Sequence, residues 1–394
     1  MDYLLAINGL NVGVMQVLAE ADQHYNDMVE QERRRRGPRT CWVKNWLTPE
    51  RRLAVGHYHQ LMEELRLDDQ EAFYNFLRIT PPMFDELLQR IIPYISRKDT
   101  NYRKALEPGM KLAITLRHLA TGDTYATLQF DFRVARTTIG LLVKEVCNAL
   151  VTELRNEVIT FPVDSNALEH VAEEFMVRWN VPHACGALDG KHVAIRKPRK
   201  AGTMYHNYKG FHSVVLMALV DANYKFMWID VGGLGSQSDA QIYNQSELKE
   251  CLEDGSIGFP APSPLPNDVQ NFPYFLLGDD AFGLRSYLMK PYSGRKLTRE
   301  EMIANYRISR ARRVVENAFG IMAQRWRVLL STMQQLPETV QTIVEACVCL
   351  HNFSATFLWR HVYNQHTRIF RFKVSNGMRT GWNVSIFYSR LASS

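Results

Sequence analysis

The spacing of apolar residues divides the chain into a helical part and a part rich in strands. From about residue 50 to residue 160, apolar side chains recur at helical intervals, as in EAFYNFLRI, PPMFDELLQRIIPYI and GMKLAITLRHLATG, and no stretch alternates as a strand would. Four prolines fall at starts or breaks between these segments: Pro81, Pro82, Pro93 and Pro108. This part of the chain therefore predicts three or four short helices.

The second part begins with an amphipathic helix over residues 164–180, capped by Asp164 or Ser165. Short apolar and β-branched runs then predict successive antiparallel strands: ACGALDG, HVAI, HSVVLMALVD and YKFMWIDVGG. A helix near 239–252, a proline-rich loop, the apolar strand FPYFLLGDD and helical patterns at 299–328 and 337–352 follow. Three strands, a helix, a strand and a helix is the order of a ribonuclease H-like fold.

Within the helical part, residues 124–150 (TYATLQFDFRVARTTIGLLVKEVCNAL) have the layout of a helix-turn-helix. A short helix at Tyr125–Phe130 precedes a polar turn at Asp131–Arg133, and a second helix runs from about Ala135 to Ala149. Helix-turn-helix proteins that bind DNA place the start of this second helix in the major groove. A plain helical hairpin that packs on its neighbours fits the same pattern. Three polar residues are expected to be exposed at that start: Arg136, Thr137 and Thr138.

Composition and charge narrow the class of protein. The 394 residues contain 46% hydrophobic and 22% charged residues, and no apolar run approaches the roughly 18 residues of a membrane span. Six scattered cysteines are typical of reduced thiols rather than of a disulfide framework. The net charge of +6 is concentrated in three basic runs, at 33–39, 191–200 and 307–313. The first run (RRRRGPR) reads as a nuclear localisation signal or as a solvated basic turn.

Four acidic residues stand at the ends or openings of predicted elements in the second part. Two-metal phosphoryl chemistry requires carboxylates that converge from different elements of a rigid sheet. One ion activates the attacking water or 3′-hydroxyl, the other stabilises the leaving oxygen, and hard oxygen ligands suit Mg²⁺ or Mn²⁺. The four acids are Asp189 (GALDG), Asp239 (GSQSDAQIY), Asp279 (FLLGDDAFG) and Glu316 (RRVVENAFG).

Each of these acids has an ordinary structural explanation as well. Asp189 could be a strand-end residue, and Asp239 could be a helix N-cap. Asp280 could replace Asp279 as a ligand, although we expect it to point to the opposite face. Glu316 could pair with Arg312 or Arg313 one turn away. The four acids together, in this order of elements, are more specific than any one of them.

Six segments between about residues 183 and 352 follow one another in a distinctive order: GALDGKHVAI, YHNYKGFHSVVLMALVD, GSQSDAQIYNQSEL, FLLGDDAFGLRSYLMKPY, ANYRISRARRVVENAFGIMAQRWRVL and CVCLHNF. Together they resemble the DDE nuclease domain of PIF/Harbinger-type transposases and of the Harbinger transposase-derived nucleases. The resemblance implies that Asp189, Asp279 and Glu316 are the catalytic acids. It also implies that Asp239 joins them in holding two divalent ions, Mg²⁺ or Mn²⁺.

The same resemblance implies an activity and partners. Such enzymes cut double-stranded DNA at transposon ends and join the 3′-hydroxyl to target DNA, and a separate Myb/SANT-like protein assists DNA binding and nuclear entry. Joining two ends requires at least two chains, so a homo-oligomer on DNA is expected. Domesticated relatives keep the acids without transposition, so a transposase and a host nuclease both fit. We expect a nuclear protein that could also have a cytoplasmic pool, and we expect no membrane association.

Basic residues beside the acids predict a phosphate-binding surface, since such contacts give affinity that is independent of sequence and falls with salt. Tyr205 and Tyr208 lie between these residues and would stack on unpaired bases or, as we expect, pack in the core. Arg310 and Arg313 on the long helix form a second candidate DNA track or a solvated face. Near Asp189 the predicted DNA contacts are Lys191, Arg196, Lys197 and Lys209.

The predicted fold class is α+β, with an all-α N-terminal helix-turn-helix region followed by a ribonuclease H-like (DDE) mixed-sheet catalytic domain. The predicted function is a metal-dependent DNA endonuclease or transposase. A domesticated, non-catalytic DNA-binding regulator is the main alternative, and a nuclease for RNA–DNA hybrids is a third. The predicted boundaries are 1–48 for a partly disordered basic arm, 49–160 for the helical DNA-binding region, 161–356 for the catalytic domain and 357–394 for a tail of no assigned role.

Overall fold

A computed structural model of the chain describes residues 43–374, apart from 102–103, 163 and 295, and describes side chains up to Phe357. The basic run at 33–39 and the last part of the predicted tail lie outside the described residues. The chain divides after Arg51 into two units. The described part of the first unit, residues 43–51, contains a 3₁₀ turn at Asn45–Leu47 and the start of a helix.

Eight helices of the described chain precede the sheet, and their ends follow local sequence. Thr124 caps the sixth helix by accepting from the Thr127 amide, and Gly122 ends the fifth in the left-handed conformation. Pro93, predicted to break a helix, instead lies inside the last turn of the fourth, which ends two residues later. The helices are α1 (Pro49–Val55), α2 (Leu61–Asp68), α3 (Gln70–Leu77), α4 (Pro81–Ile95), α5 (Pro108–Thr121), α6 (Tyr125–Phe132), α7 (Arg136–Val158) and α8 (Ser165–Trp179).

The helix pair α6–α7 occupies the segment predicted as a helix-turn-helix. Arg133 makes the turn with a positive φ of 55°, and the Gln129 side chain accepts a hydrogen bond from the Arg136 amide at 2.9 Å. α7 extends to Val158 rather than to Ala149, because its apolar side continues through buried Leu150, Leu154 and Val158. This arrangement is a helical hairpin in geometry, and its use for reading DNA stays a prediction.

A mixed sheet forms the centre of the second part of the chain. Its strands are β1 (Ala184–Ala194), β2 (Ser213–Val220), β3 (Phe226–Leu234), β6 (Phe275–Leu277) and β7 (Leu288–Met289), in the order β3-β2-β1-β6-β7. β1 pairs antiparallel with β2 and parallel with β6. ACGALDG and HVAI, which we predicted as separate runs, form the single strand β1. A small separate ladder joins β4 (Ser263–Pro264) to β5 (Asn271–Phe272).

Helices cover both faces of this sheet. β2 is buried along its whole length, and its alternate residues enter two different apolar clusters: Val214, Leu216 and Ala218 on one face, and Val215 and Met217 on the other. The first cluster includes α11 (Arg299–Arg325) and α12 (Pro337–Val374), and the second includes α8, α9 (Asp239–Asn244) and α10 (Glu247–Glu253). This mixed α/β architecture is consistent with a ribonuclease H-like DDE domain.

Two further observations complete the fold. α12 continues well past residue 352, where we had ended it, so helix enters the predicted tail as far as Val374. Its Cys347, Cys349 and His351 are buried, and the His351 Nε2 contacts the Tyr224 carbonyl at 2.9 Å. They are therefore core residues of the helix. None of the described helices has the length and apolar character needed to cross a bilayer.

Candidate active site

Asp189 lies on β1, on the face that α11 covers. Its neighbour Ala187 enters the apolar cluster of that face, whereas Leu188 enters the opposite one. The Asp189 side chain is 14% exposed, and Arg312 of α11 places its Nη1 3.5 Å from the Asp189 Oδ2. Asp189 is therefore a half-enclosed carboxylate facing a helix rather than a strand-end residue in open solvent.

Glu316 is linked to Asp189 by Arg312, which contacts both carboxylates. The Arg312 Nη2 lies 2.8 Å from the Glu316 Oε1, one helical turn away. Of the two arginines proposed as partners of Glu316, Arg312 thus makes the ion pair, and it contacts Asp189 at the same time. One guanidinium therefore bridges two of the four predicted acids.

Asp239 approaches from the opposite face of β1. Ser238 caps α9 by a capping box with Gln241, so the N-cap explanation for Asp239 is wrong. The Asp239 carboxylate instead lies against Gly190, where an added Cβ would stand 2.2 Å from its Oδ1. Any side chain at position 190 would displace this carboxylate, so the glycine makes the close approach possible.

Asp279 is brought beside Asp189 by strand pairing. Ala187 of β1 pairs with Leu277 of the parallel strand β6, so Asp189 and Asp279 each follow a paired position by two residues. Asp279 is half-buried, and its Oδ1 accepts from the Ala281 amide at 2.9 Å. Asp280 is exposed and pairs with Lys290 at 3.3 Å. The preference for Asp279 over Asp280 therefore agrees with their positions.

The charges of the neighbouring acids influence the pKa values of Asp189 and Asp239. Burial raises the pKa of the Asp189 carboxyl to about 7, against the lowering effects of the Arg312 charge and the Gly190 amide, and the charges of Asp239 and Asp279 raise it further. Burial and the Asp279 charge also raise the pKa of Asp239. Carboxylates that disfavour one another's ionisation form a site that a divalent cation would neutralise.

The donor set fits a hard divalent cation by its chemistry, since the four predicted ligands are all carboxylates. In the described residues, however, no three acidic, imidazole or thiol groups are gathered closely enough to form a ready-made metal site. The Arg312 guanidinium provides a positive charge between Asp189 and Glu316. A bound cation there would have to compete with this side chain.

Two lysines adjoin the acids. Lys191 lies on β1, half-buried, with its Nζ 5.9 Å from the centre of the Phe319 ring. Burial and the charge of Lys209 lower the pKa of Lys191, and the Lys209 charge also lowers that of Asp239. The charge of Lys209 therefore acts on both Asp239 and Lys191. Arg196 and Lys197 are exposed just after β1.

The two tyrosines of this region behave differently. Tyr205 is partly buried and packs against the core, as predicted. Tyr208 is 83% exposed, so our expectation of core packing is wrong for this residue. The difference arises because the segment turns outward after Asn207, whose own side chain is buried.

The remaining predicted DNA contacts lie elsewhere on the described surface. Arg136 and Thr137 are exposed at the start of α7, and Thr138 is half-buried. On α11, Arg313 is exposed and Arg310 is half-buried. The structure thus makes most of these side chains accessible, and their contact with DNA stays a prediction.

Sequence reasoning missed two residues of the site. Gly190 ended the first of two predicted strand runs, and Arg312 was considered only as a partner of Glu316. A glycine inside an otherwise apolar strand is a signal of close approach and was available. The contact between Arg312 and Asp189 has no sequence signal, because it joins elements far apart in the chain.

A family model matches the part of the chain that carries the four acids, and known proteins match a longer part. Residues 188–352, which contain all four acids, match the family model described as DDE superfamily endonuclease. The Mus musculus protein “Putative nuclease HARBI1” is 28% identical over 314 residues, or 77% of this chain and 83% of the relative. The Homo sapiens protein of that name is 27% identical with the same coverage. “Protein ALP1-like” of Arabidopsis thaliana is 23% identical over 292 residues, or 72% of this chain and 70% of that protein. No solved structure matches the chain.

Proposed function

Because the chain carries a DDE superfamily endonuclease domain and is homologous to the HARBI1 and ALP1 proteins of the Harbinger transposase-derived nuclease family, we propose that it is a divalent-metal-dependent DNA endonuclease. The observation that carries this proposal is the pairing of Ala187 in β1 with Leu277 in β6, since Asp189 and Asp279 each follow one of these paired residues by two positions. Asp239 and Glu316 approach from the two faces of β1. Four carboxylates on or next to four different elements are the kind of ligand set that phosphoryl-transfer chemistry uses.

In this proposal the four acids would hold Mg²⁺ or Mn²⁺. When bound, such ions activate an attacking water or 3′-hydroxyl and stabilise the leaving oxygen. Lys191 and Lys209 bind the phosphates on either side of the cut, since Lys191 follows Asp189 by two residues on β1 and the charge of Lys209 acts on Asp239. Arg312 would turn from Asp189 and Glu316 toward the substrate phosphate.

The substrate we propose is double-stranded DNA, at transposon ends and at target sites. The start of α7, with Arg136, Thr137 and Thr138, enters the major groove, and Arg196, Lys197, Arg310 and Arg313 contact the backbone. The same proposal includes three further features. A homo-oligomer joins the 3′-hydroxyl to target DNA, and a Myb/SANT-like protein is its partner. The protein is located in the nucleus, with a cytoplasmic pool. These features come from the family resemblance and the exposed basic residues.

The proposal is tested by plasmid nicking with the purified chain in Mg²⁺ or Mn²⁺. Asp279→Asn should reduce nicking to the level of an EDTA control, because it removes one predicted ligand. Asp280→Asn is the matched control, since the neighbouring carboxylate is exposed and pairs with Lys290. Equal nicking by the two variants would contradict the assignment of Asp279.

A second candidate function is a DNA-binding regulator without catalysis. The observation that favours it is the Arg312 bridge, which places one positive charge between two of the acids. In that case the chain would bind DNA but would not nick it in either metal. Arg312→Ala, which frees both carboxylates, would then not restore nicking.

A further inference from the structure

An exposed tyrosine stands beside the candidate active site. Tyr208 is 83% exposed in the segment between β1 and β2. One edge of its ring meets the His192 ring of β1, with centroids 5.8 Å apart, and the Lys209 Nζ lies 5.3 Å from its centre. Most of an aromatic surface is therefore presented to solvent next to a lysine.

The backbone around this tyrosine is fixed by a buried side chain. Asn207, 2% exposed, accepts from the amides of Lys209 and Phe211 at 3.0 and 3.2 Å. Its Nδ2 donates to the Ser213 Oγ at 2.9 Å, and this oxygen lies 2.8 Å from the His192 Nδ1. The segment is thus tied to β1 and β2, so Tyr208 needs little ordering to present its ring.

The ring lies on the side of β1 that faces Asp239. His192 and Gly190 point to the same face of the strand, roughly 7 Å apart along it. The Asp239 carboxylate lies against Gly190, and Lys209, which follows Tyr208 directly, acts on Asp239 through its charge. A nucleotide whose phosphate lay at the acids would therefore have its neighbouring base within reach of Tyr208.

We propose that Tyr208 stacks on an unpaired DNA base next to the phosphate that the acids cut, an inference that rests on the proposed nuclease function. A base inside a duplex has neighbours on both faces, so an aromatic side chain stacks most readily on a base that is unpaired. The preferred substrate is then DNA with an opened strand or a single-stranded overhang, held by Lys209 at its backbone and by Tyr208 at its base.

Fluorescence anisotropy with the full chain in EDTA tests this, using a blunt DNA duplex and the same duplex with a short single-stranded 3′ overhang. The wild-type chain should bind the overhang duplex more tightly. Tyr208→Ala should weaken that binding by roughly 5- to 100-fold and leave blunt-duplex binding unchanged, because stacking on the base is lost. Tyr208→Phe should keep the preference. Tyr94→Ala, at a partly exposed tyrosine of α4, is the matched control and should behave as wild type.

Three results would overturn the proposal: equal overhang binding by the wild type and Tyr208→Ala, equal losses on both duplexes, or no binding of either duplex by the wild type. Since EDTA prevents metal-dependent cutting, the experiment is independent of catalysis. A Tyr208-dependent preference in a chain that never nicks plasmid would refute the nuclease and retain this binding site.

Discussion

At the scale of single residues, Asp189 has the most unusual environment of the candidate site. Burial and the nearby charges of Asp239 and Asp279 disfavour ionisation of its carboxyl, and the Arg312 charge offsets only part of this effect. A pKa of about 7 means that the metal-free chain changes the charge of this group within the physiological range. A carboxyl of ordinary pKa would be ionised throughout that range.

Metal binding should therefore release a proton from Asp189. A divalent cation requires the ionised carboxylate, so below pH 7 the apparent affinity should fall by up to roughly tenfold per pH unit. Above pH 8 the affinity should become independent of this group. Calorimetric titration with Mn²⁺ at pH 6, in buffers of different ionisation enthalpy, measures the proton released.

The control for this titration is again Asp280→Asn, which should release the proton as the wild type does. Asp189→Asn should bind Mn²⁺ more weakly and release none. An affinity that is the same at pH 6 and pH 8 would show that Asp189 is already ionised in the metal-free chain.

At the scale of elements, one buried amide connects three of them. The Asn352 side chain of α12 accepts from the Phe226 amide at 3.0 Å and donates to the carbonyls of Phe226 and Val158 at 2.7 and 2.8 Å. Val158 ends α7 and Phe226 starts β3. The helix that carries the predicted DNA-reading residues is thus fixed to the sheet that carries the acids.

Loss of this amide should destabilise the chain markedly. Asn352→Ala leaves one buried amide and two buried carbonyls without this partner, and we expect the free energy of unfolding to fall by about 3 kcal/mol. Urea unfolding followed by circular dichroism measures the change. Asn305→Ala removes a similar pair of contacts, to the Tyr292 backbone, at an exposed site, and should cost under about 1 kcal/mol. Similar losses in the two variants would contradict this role of Asn352.

The elements themselves were largely predictable, and their errors have physical causes. Apolar and β-branched runs predicted the strands of the β1-β2-β3 meander, and proline and cap residues predicted several helix starts. We wrongly divided β1 at Gly190, because a glycine often marks the end of a strand. Here the glycine lies inside the strand and leaves space for the Asp239 carboxylate. Tyr208 was misplaced because its exposure depends on Asn207, whose hydrogen bonds no periodicity reveals. Pairing of Arg312 with Asp189 depends on tertiary packing alone.

At the scale of the whole molecule, the modest net charge of +6 hides a local concentration of basic residues. Within the part of the chain that the structure describes, candidate DNA contacts lie at the start of α7, after β1 and along α11. Binding by such a surface releases counterions from DNA, so the affinity should fall linearly with the logarithm of salt concentration.

Replacement of one phosphate-contacting arginine should reduce this salt dependence measurably. Arg136→Ala should lower the magnitude of the slope of log affinity against log salt by about one. Lys98→Ala, at an exposed lysine after α4, should leave the slope unchanged. Anisotropy titrations of a DNA duplex over a series of NaCl concentrations measure both slopes. An unchanged slope for Arg136→Ala would remove this residue from the DNA-binding surface.

The parallel pairing of β1 with β6 also has a consequence for how the chain folds. β1, β2 and β3 pair as neighbours in chain order, so this meander closes loops of 18 residues (195–212) and five residues (221–225). β6 must return to β1 across an intervening segment of some 80 residues, from Ala194 to Phe275, and long loops are slow to close. Asp279 therefore joins Asp189 late in folding. A nascent chain that has not yet completed β6 therefore lacks Asp279 beside Asp189, and its cluster of predicted active-site acids is incomplete.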